Sequence, residues 1–254
     1  LLHIGEGSNM LFTKDFPGTV LHSNIELIKY VDMGFDEVPV IVGAGVNFDS
    51  FVEETCRHGL WGAENLSLIP GEVGAAAVQN IGAYGVEVAD IISGVVCFDL
   101  QERKKVKFTA QECCYGYRDS FFKRPENKGR YVVTSVLFRL SRKAAPKIGY
   151  KGVREALGDR EPQHPTEVRE AVIKLRRDKL PDPLEIGSAA VADAMDAGCN
   201  SPRHHQNPGG IAHRALSQNR FGNRIADTVT KITQIHTGGK GNGCAGTVDD
   251  FGKP

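Results

Sequence analysis

The sequence predicts a fold of the α+β class, and three observations carry that prediction. Runs rich in β-branched and aromatic residues recur at 38–42, 95–100, 106–108 and 131–140, bounded by polar or glycine-containing turns. Two other segments, 47–56 and 167–179, repeat their apolar residues with a helical period instead. Glycines gather between such segments, above all from Gly71 to Gly85, where four stand in fifteen positions.

A chain of 254 residues has room for one or two domains and a sizeable core. Its 31 basic residues balance its 31 acidic ones, which argues against nucleic acid or an anionic membrane as a bulk partner. No apolar run approaches the ~20 residues needed to cross a bilayer. The opening Leu1-Leu2-His3-Ile4 reads as a buried strand rather than a signal peptide, and without a starting Met the sequence is expected to begin inside a domain. Cys56, Cys97, Cys113, Cys114, Cys199 and Cys244 form no zinc-type pairs. Reduced thiols in a cytoplasmic protein are therefore expected, and no metal site is.

Taken in order, the first strand enters Gly5-Glu6-Gly7-Ser8-Asn9. A dinucleotide fingerprint would need a third glycine where Met10 stands and a helix behind it, whereas Lys14-Asp15-Phe16-Pro17-Gly18 is a turn. That excludes a Rossmann site and leaves another kind of phosphate loop open. Residues 19–22 read as a second strand. The strand at 38–42 ends at Gly43-Ala44-Gly45, a strand-to-helix turn, and Asn47 caps a helix burying Phe48, Phe51, Val52, Thr55 and Cys56, with Gly59 as its terminator.

The Gly71–Gly85 stretch follows, with Gly74 and Gly82 inside it and the apolar run Ala75-Ala76-Ala77-Val78 between its two clusters. Successive N–H groups in such loops form a concavity for anions, although two ordinary tight turns would read the same way. Strands at 95–100 and 106–108 flank a polar turn, and Thr109 with Glu112 matches a capping box that opens a short helical turn. Tyr115-Gly116-Tyr117-Arg118-Asp119-Ser120 sets one guanidinium among polar aromatics, suited either to a carboxylate or phosphate or to a surface ion pair. In the strand at 131–140, Val132, Val136, Phe138 and Leu140 share one face. The helix at 167–179 turns Val168, Ala171, Val172 and Leu175 inward, and its basic end, Lys174, Arg176, Arg177 and Lys179, complements the helix dipole or faces solvent. From Gly187 onward the apolar residues lose any period, and loose packing or disorder is expected there; the pair His204-His205 is read as solvated rather than as a metal site.

Five motifs in order resemble the flavin-dependent UDP-N-acetylenolpyruvoylglucosamine reductases. They are Gly5-Glu6-Gly7-Ser8-Asn9, Glu64-Asn65-Leu66-Ser67-Leu68-Ile69-Pro70-Gly71, Gln79-Asn80-Ile81-Gly82-Ala83-Tyr84-Gly85, Tyr115 to Ser120 and Lys179-Leu180-Pro181-Asp182-Pro183. The resemblance covers about residues 1–186, and the spacer around Tyr150 is similar to the branch with a tyrosine-bearing loop over its substrate. It implies a two-lobed FAD-binding domain of the vanillyl-alcohol-oxidase type. Residues 1–28 would be the remnant of the first lobe, 29–186 the second lobe with its insertion, and 187–254 the place of a substrate domain diverged or lost.

The resemblance further implies that FAD is held by Gly5, Glu6, Gly7, Ser8, Asn9, Gly71, Gly74, Asn80, Gly82, Tyr84 and Gly85. NADPH would reduce the flavin, which would then reduce a UDP-sugar enolpyruvyl ether in peptidoglycan precursor synthesis, and hence in cell-wall formation, cell shape and division. Arg118 takes the position of the arginine that polarises the substrate carboxylate. Tyr117, Tyr150, Arg176 and Lys179 fall at substrate-binding positions, and a monomer is expected.

The sequence also departs from the family. The family serine that donates a proton aligns with Val191, Ser188 stands three positions early, and no C-terminal catalytic glutamate is matched. A change of reading frame near residue 187 would produce such a break. A non-catalytic FAD-binding remnant is therefore the alternative to an active reductase.

Overall fold

Alternating burial along the chain selects the strands and pairs them. The structure, a computed structural model, describes residues 1–180 apart from Asn9, Leu11, Met33 and Asp159. Strands β1 (Leu2–Ile4) and β2 (Val20–His22) run parallel in a small sheet of their own. A second sheet begins with β3 (Ile28–Tyr30) and β4 (Glu37–Gly43), where Val38, Val40 and Val42 point into the core. Helix α1 (Phe48–Arg57) follows, its first turn capped by Asn47, whose side chain accepts from the Ser50 N–H at 3.0 Å. All five apolar-face residues expected on this helix are buried. Gly59, at φ +69°, ends it as the sequence predicts.

A 3-10 turn (Glu64–Leu66) leads to α2 (Val73–Gln79). The hairpin β5 (Gly82–Ala83) and β6 (Val86–Glu87) comes next, turning through Tyr84 and Gly85 at φ +50° and +81°. Two successive left-handed residues make the turn whose twist matches paired strands, which is why glycine stands at position 85. Strands β7 (Ile92–Asp99), β8 (Lys104–Thr109) and β9 (Tyr131–Ser141) complete the second sheet in the order β3-β4-β9-β7-β8, antiparallel throughout. Helices α3 (Lys151–Leu157) and α4 (Pro165–Lys179) follow.

The main core lies between the five-stranded sheet and helices α1 and α2, with Phe51 stacked on Phe138 at 4.6 Å. Trp61, Ile148, Val153, Leu157, Val168 and Val172 form a smaller core that seats α3 and α4. Gly45 lets the main chain of residues 23–27 lie against the end of β4, because a Cβ there would stand 2.4 Å from the Ser23 carbonyl oxygen.

The structure corrects one expectation. A register shift between β7 and β9 changes the phase of the long strand, so Val133 and not Val132 is buried beside Val136, Phe138 and Leu140. The reciprocal Thr109–Glu112 hydrogen bonds form and open the single turn expected there, in which the Cys113 N–H donates to the Thr109 carbonyl at 3.1 Å. The apolar run 75–78, to which the sequence assigns no element, belongs to a helix that starts at Val73. The expected region 187–254, with Val191, Ser188 and His204-His205, lies outside the described residues.

Candidate functional site

The two glycine loops expected to hold a phosphate group meet at one end of α2. Glu6 joins them: its Oε2 accepts from the Gly71 N–H at 3.0 Å, and its Oε1 from Asn47 Nδ2 at 3.4 Å. Ser8 lies against Gly71, its Oγ 3.3 Å from where a Cβ would be. The Gly74 N–H donates to the Ala44 carbonyl and the Val73 N–H to that of Val46, both at 2.9 Å. The start of α2 is thus tied to the β4–α1 turn and gives those two donors to the protein. By contrast, the N–H groups of Glu6, Gly7 and Ser8 have no acceptor among the described residues. A Cβ on Gly7 would meet nothing within 4 Å, so open space adjoins these donors. Asn9 lies outside the described residues.

Behind this junction sits a carboxylate whose partner no local pattern reveals. Glu72 is 6% exposed, and its Oε1 lies 2.6 Å from His22 Nε2 on β2. Burial pushes the Glu72 carboxyl above its ordinary range, although the His22 contact opposes the shift. Burial, with His22 beside it, lowers His3. Glu72 stands in the glycine stretch, but its partner is fifty residues away along the chain.

At the other end of α2, Asn80 caps the helix in the left-handed conformation and is fully buried. Its Nδ2 donates to the Gly116 carbonyl at 2.7 Å and to Glu87 Oε2 at 2.8 Å, and its Oδ1 accepts from the Ala89 N–H at 3.1 Å. Gly116 and Asp119 exchange backbone hydrogen bonds across a tight turn, at 3.1 and 3.0 Å. Tyr117, 85% exposed, and Arg118, at φ +53°, occupy the tip of that turn. One guanidinium nitrogen of Arg118 donates to the Gly82 carbonyl at 3.0 Å, and the rest of the fork is exposed. Lys123 Nζ donates to the Arg118 carbonyl.

A cavity of about 630 Å³ opens beside the hairpin, lined by Tyr84, Gly85, Tyr150, Arg154 and the 146–149 segment. Tyr150 precedes α3, and its ring meets that of Tyr84 edge-on at 5.2 Å. Asn65 fixes the wall from behind by donating to the carbonyls of Tyr84 at 3.1 Å and Lys147 at 2.8 Å. Burial raises the Tyr84 phenol and lowers the Arg176 guanidinium, whose buried Nε has no hydrogen-bond partner among the described residues. Lys179 ends α4 and is exposed.

Residues 1–101 match the FAD binding domain family. Over 188 residues the chain is 50% identical to the UDP-N-acetylenolpyruvoylglucosamine reductase of Bacteroides fragilis (strain YCH46), a match that covers 74% of this chain and 56% of the relative. The enzyme of the same name from Burkholderia cenocepacia (strain HI2424) is 45% identical over 192 residues, covering 74% and 55%. The crystal structure of the UDP-N-acetylenolpyruvylglucosamine reductase from Thermus caldophilus superposes with a TM-score of 0.52 at 25% identity, covering 74% of this chain and 58% of that one. The chain is a relative of these reductases. It spans little more than half the length of those relatives.

This relationship gives the chain an FAD-binding domain in the fold of the reductase family. The N–H groups of Glu6, Gly7 and Ser8, without an acceptor among the described residues and with open space at Gly7, suit a phosphate-bearing cofactor. Of the other residues the resemblance singles out, Gly82, Tyr84, Gly85, Arg118 and Tyr150 gather around the hairpin. Asn80 lies behind them with its amide fully engaged. The structural residues Asn65, Glu72 and His22 were missed as site-builders. Among the described residues no group of three or more His, Cys, Asp or Glu is placed to hold a metal, and no helix is long and apolar enough to cross a membrane.

Proposed function

We propose that the chain serves the flavin-dependent reduction by NADPH of the enolpyruvyl ether of UDP-N-acetylglucosamine to UDP-N-acetylmuramate, in the cytoplasm and as a monomer. The observation that carries this reading is Arg118. Its guanidinium is held on one side by Gly82 and open on the other, at the edge of the tyrosine-lined hairpin and away from the Gly5–Ser8 loop. Bound flavin would supply the two-electron chemistry, accepting hydride from NADPH and passing it to the enolpyruvyl double bond.

The chain's own residues bind and orient. The Glu6, Gly7 and Ser8 N–H groups, with Gly71 beside them, take the cofactor's diphosphate; Gly82, Tyr84 and Gly85 bound its other end. Gly74 and Asn80 shape the loops on either side of α2. Arg118 receives the substrate carboxylate in its free fork and stabilises the charge that builds there as the double bond is reduced. Tyr117, Tyr150, Arg176 and Lys179 meet the nucleotide and its phosphates.

A visible spectrum of the purified chain with FAD, then with NADPH, then with the enolpyruvyl UDP-sugar, tests the reading. A flavin band bleached by NADPH and restored anaerobically by the sugar is the expected result. Bleaching without restoration would replace the reductase by an FAD-binding remnant, and a chain that binds no flavin would overturn both.

A further inference from the structure

The turn that carries Arg118 is braced from two directions by residues to which sequence and resemblance give no such task. Arg118 itself is left-handed, a conformation unfavourable for a residue with a Cβ and one that its surroundings must hold. The brace begins at the C-terminal end of α2. Asn80 reaches from there to the Gly116 carbonyl, at the base of the turn, while its other contacts hold Glu87 and the Ala89 N–H. Fully buried Ser120, on the other side of the turn, donates its hydroxyl to the Val78 carbonyl at 2.6 Å. The carbonyl that receives the guanidinium belongs to Gly82, paired with Glu87 in the hairpin that Asn80 also grips.

We propose that Asn80 and Ser120 position Arg118, because together they lock the arginine's turn and the Gly82 carbonyl to a single helix end. This rests on the reading of Arg118 as the carboxylate-binding residue. Asn80 acts through its amide rather than by touching a ligand. The left-handed cap alone would be served equally by glycine.

Asn80→Gly therefore keeps the helix cap and removes the amide's contacts to Gly116, Glu87 and the Ala89 N–H, and Ser120→Ala removes the second brace without touching the cap. In the full chain loaded with FAD and labelled with ¹⁵N-arginine, the Arg118 side-chain resonance is identified by its loss in Arg118→Lys. It is expected at a displaced, resolved position in the unaltered protein and at the free-arginine position in both brace variants. Binding of the enolpyruvyl UDP-sugar, followed by the flavin spectrum, should weaken about tenfold in Asn80→Gly. Binding of UDP-N-acetylglucosamine, which lacks the carboxylate, should not change. Within Arg118→Ala, the Asn80 change should cost nothing more. An unmoved Arg118 resonance in both variants, or equal weakening of both sugars, would overturn the proposal. If Arg118→Ala leaves the preference for the carboxylated sugar intact, the carboxylate reading falls, and the resonance still decides whether Asn80 and Ser120 position the arginine.

Discussion

Asp99, at the end of β7, is buried and grips Arg130 through two oxygens, with the shortest contact 2.6 Å, while accepting from the Gln101 and Glu102 N–H groups. Arg130 outweighs burial and holds the Asp99 carboxyl down to about 2. The folded state thus binds fewer protons here than the unfolded chain, whose carboxyl titrates near ~3.9. Stability from this contact is full above that range and is lost as pH falls toward about 2. Asp99→Asn should lower the melting temperature at neutral pH and flatten its acid decline; parallel acid limbs in the two proteins would refute the assignment. Thiols follow the same logic with the opposite sign of shift. Burial pushes Cys56 up to about 12 and Cys113 up to about 11, whereas Cys114 is exposed. Among these, iodoacetamide at neutral pH should label Cys114 first in the folded protein, as peptide mapping would show.

At the scale of elements, a buried ion pair joins the apolar core in attaching α4 to α1. Arg169, 9% exposed, donates to both oxygens of Asp49 on α1, the longer contact at 3.0 Å, and Asp49 also accepts from the Leu68 N–H. Burial would raise Asp49, but Arg169 and that N–H bring it below its ordinary range. Asp49→Ala leaves the buried guanidinium only the longer contact to Glu53, at 3.9 Å, and should cost about 3 kcal/mol in chemical denaturation. A loss under about 1 kcal/mol would mean that α4 stays docked through Val168 and Val172 alone. Helix α1 was legible because its Asn47 cap and apolar period agree, and α4 by its apolar period alone, which placed its start at residue 167, two residues inside the His164–Glu167 capping box that opens it at Pro165. The short α2 and α3 were not, since seven residues give too few turns for a period to show.

At the scale of the molecule, a cofactor that binds the folded chain alone must raise its stability. FAD at about a hundredfold excess over its dissociation constant should add about 2.7 kcal/mol, visible as a rise in melting temperature. Arg118→Ala should keep that rise, because Arg118 lies at the hairpin end of α2 and not at the Glu6–Gly71 junction. Loss of the rise in this variant would place the arginine in the cofactor site. By itself, the sequence determined the glycine loops, the strand and helix registers with strong periods, and the kinship carried by ordered motifs. Those features are local, so their spacing is written in the chain. Only the tertiary structure decided that Glu72 meets His22, that Asn80 faces inward, and that Val133 replaces Val132 in the core. Each depends on groups brought together from distant segments, where a hydrogen bond or a shifted strand register overrides what neighbouring residues suggest.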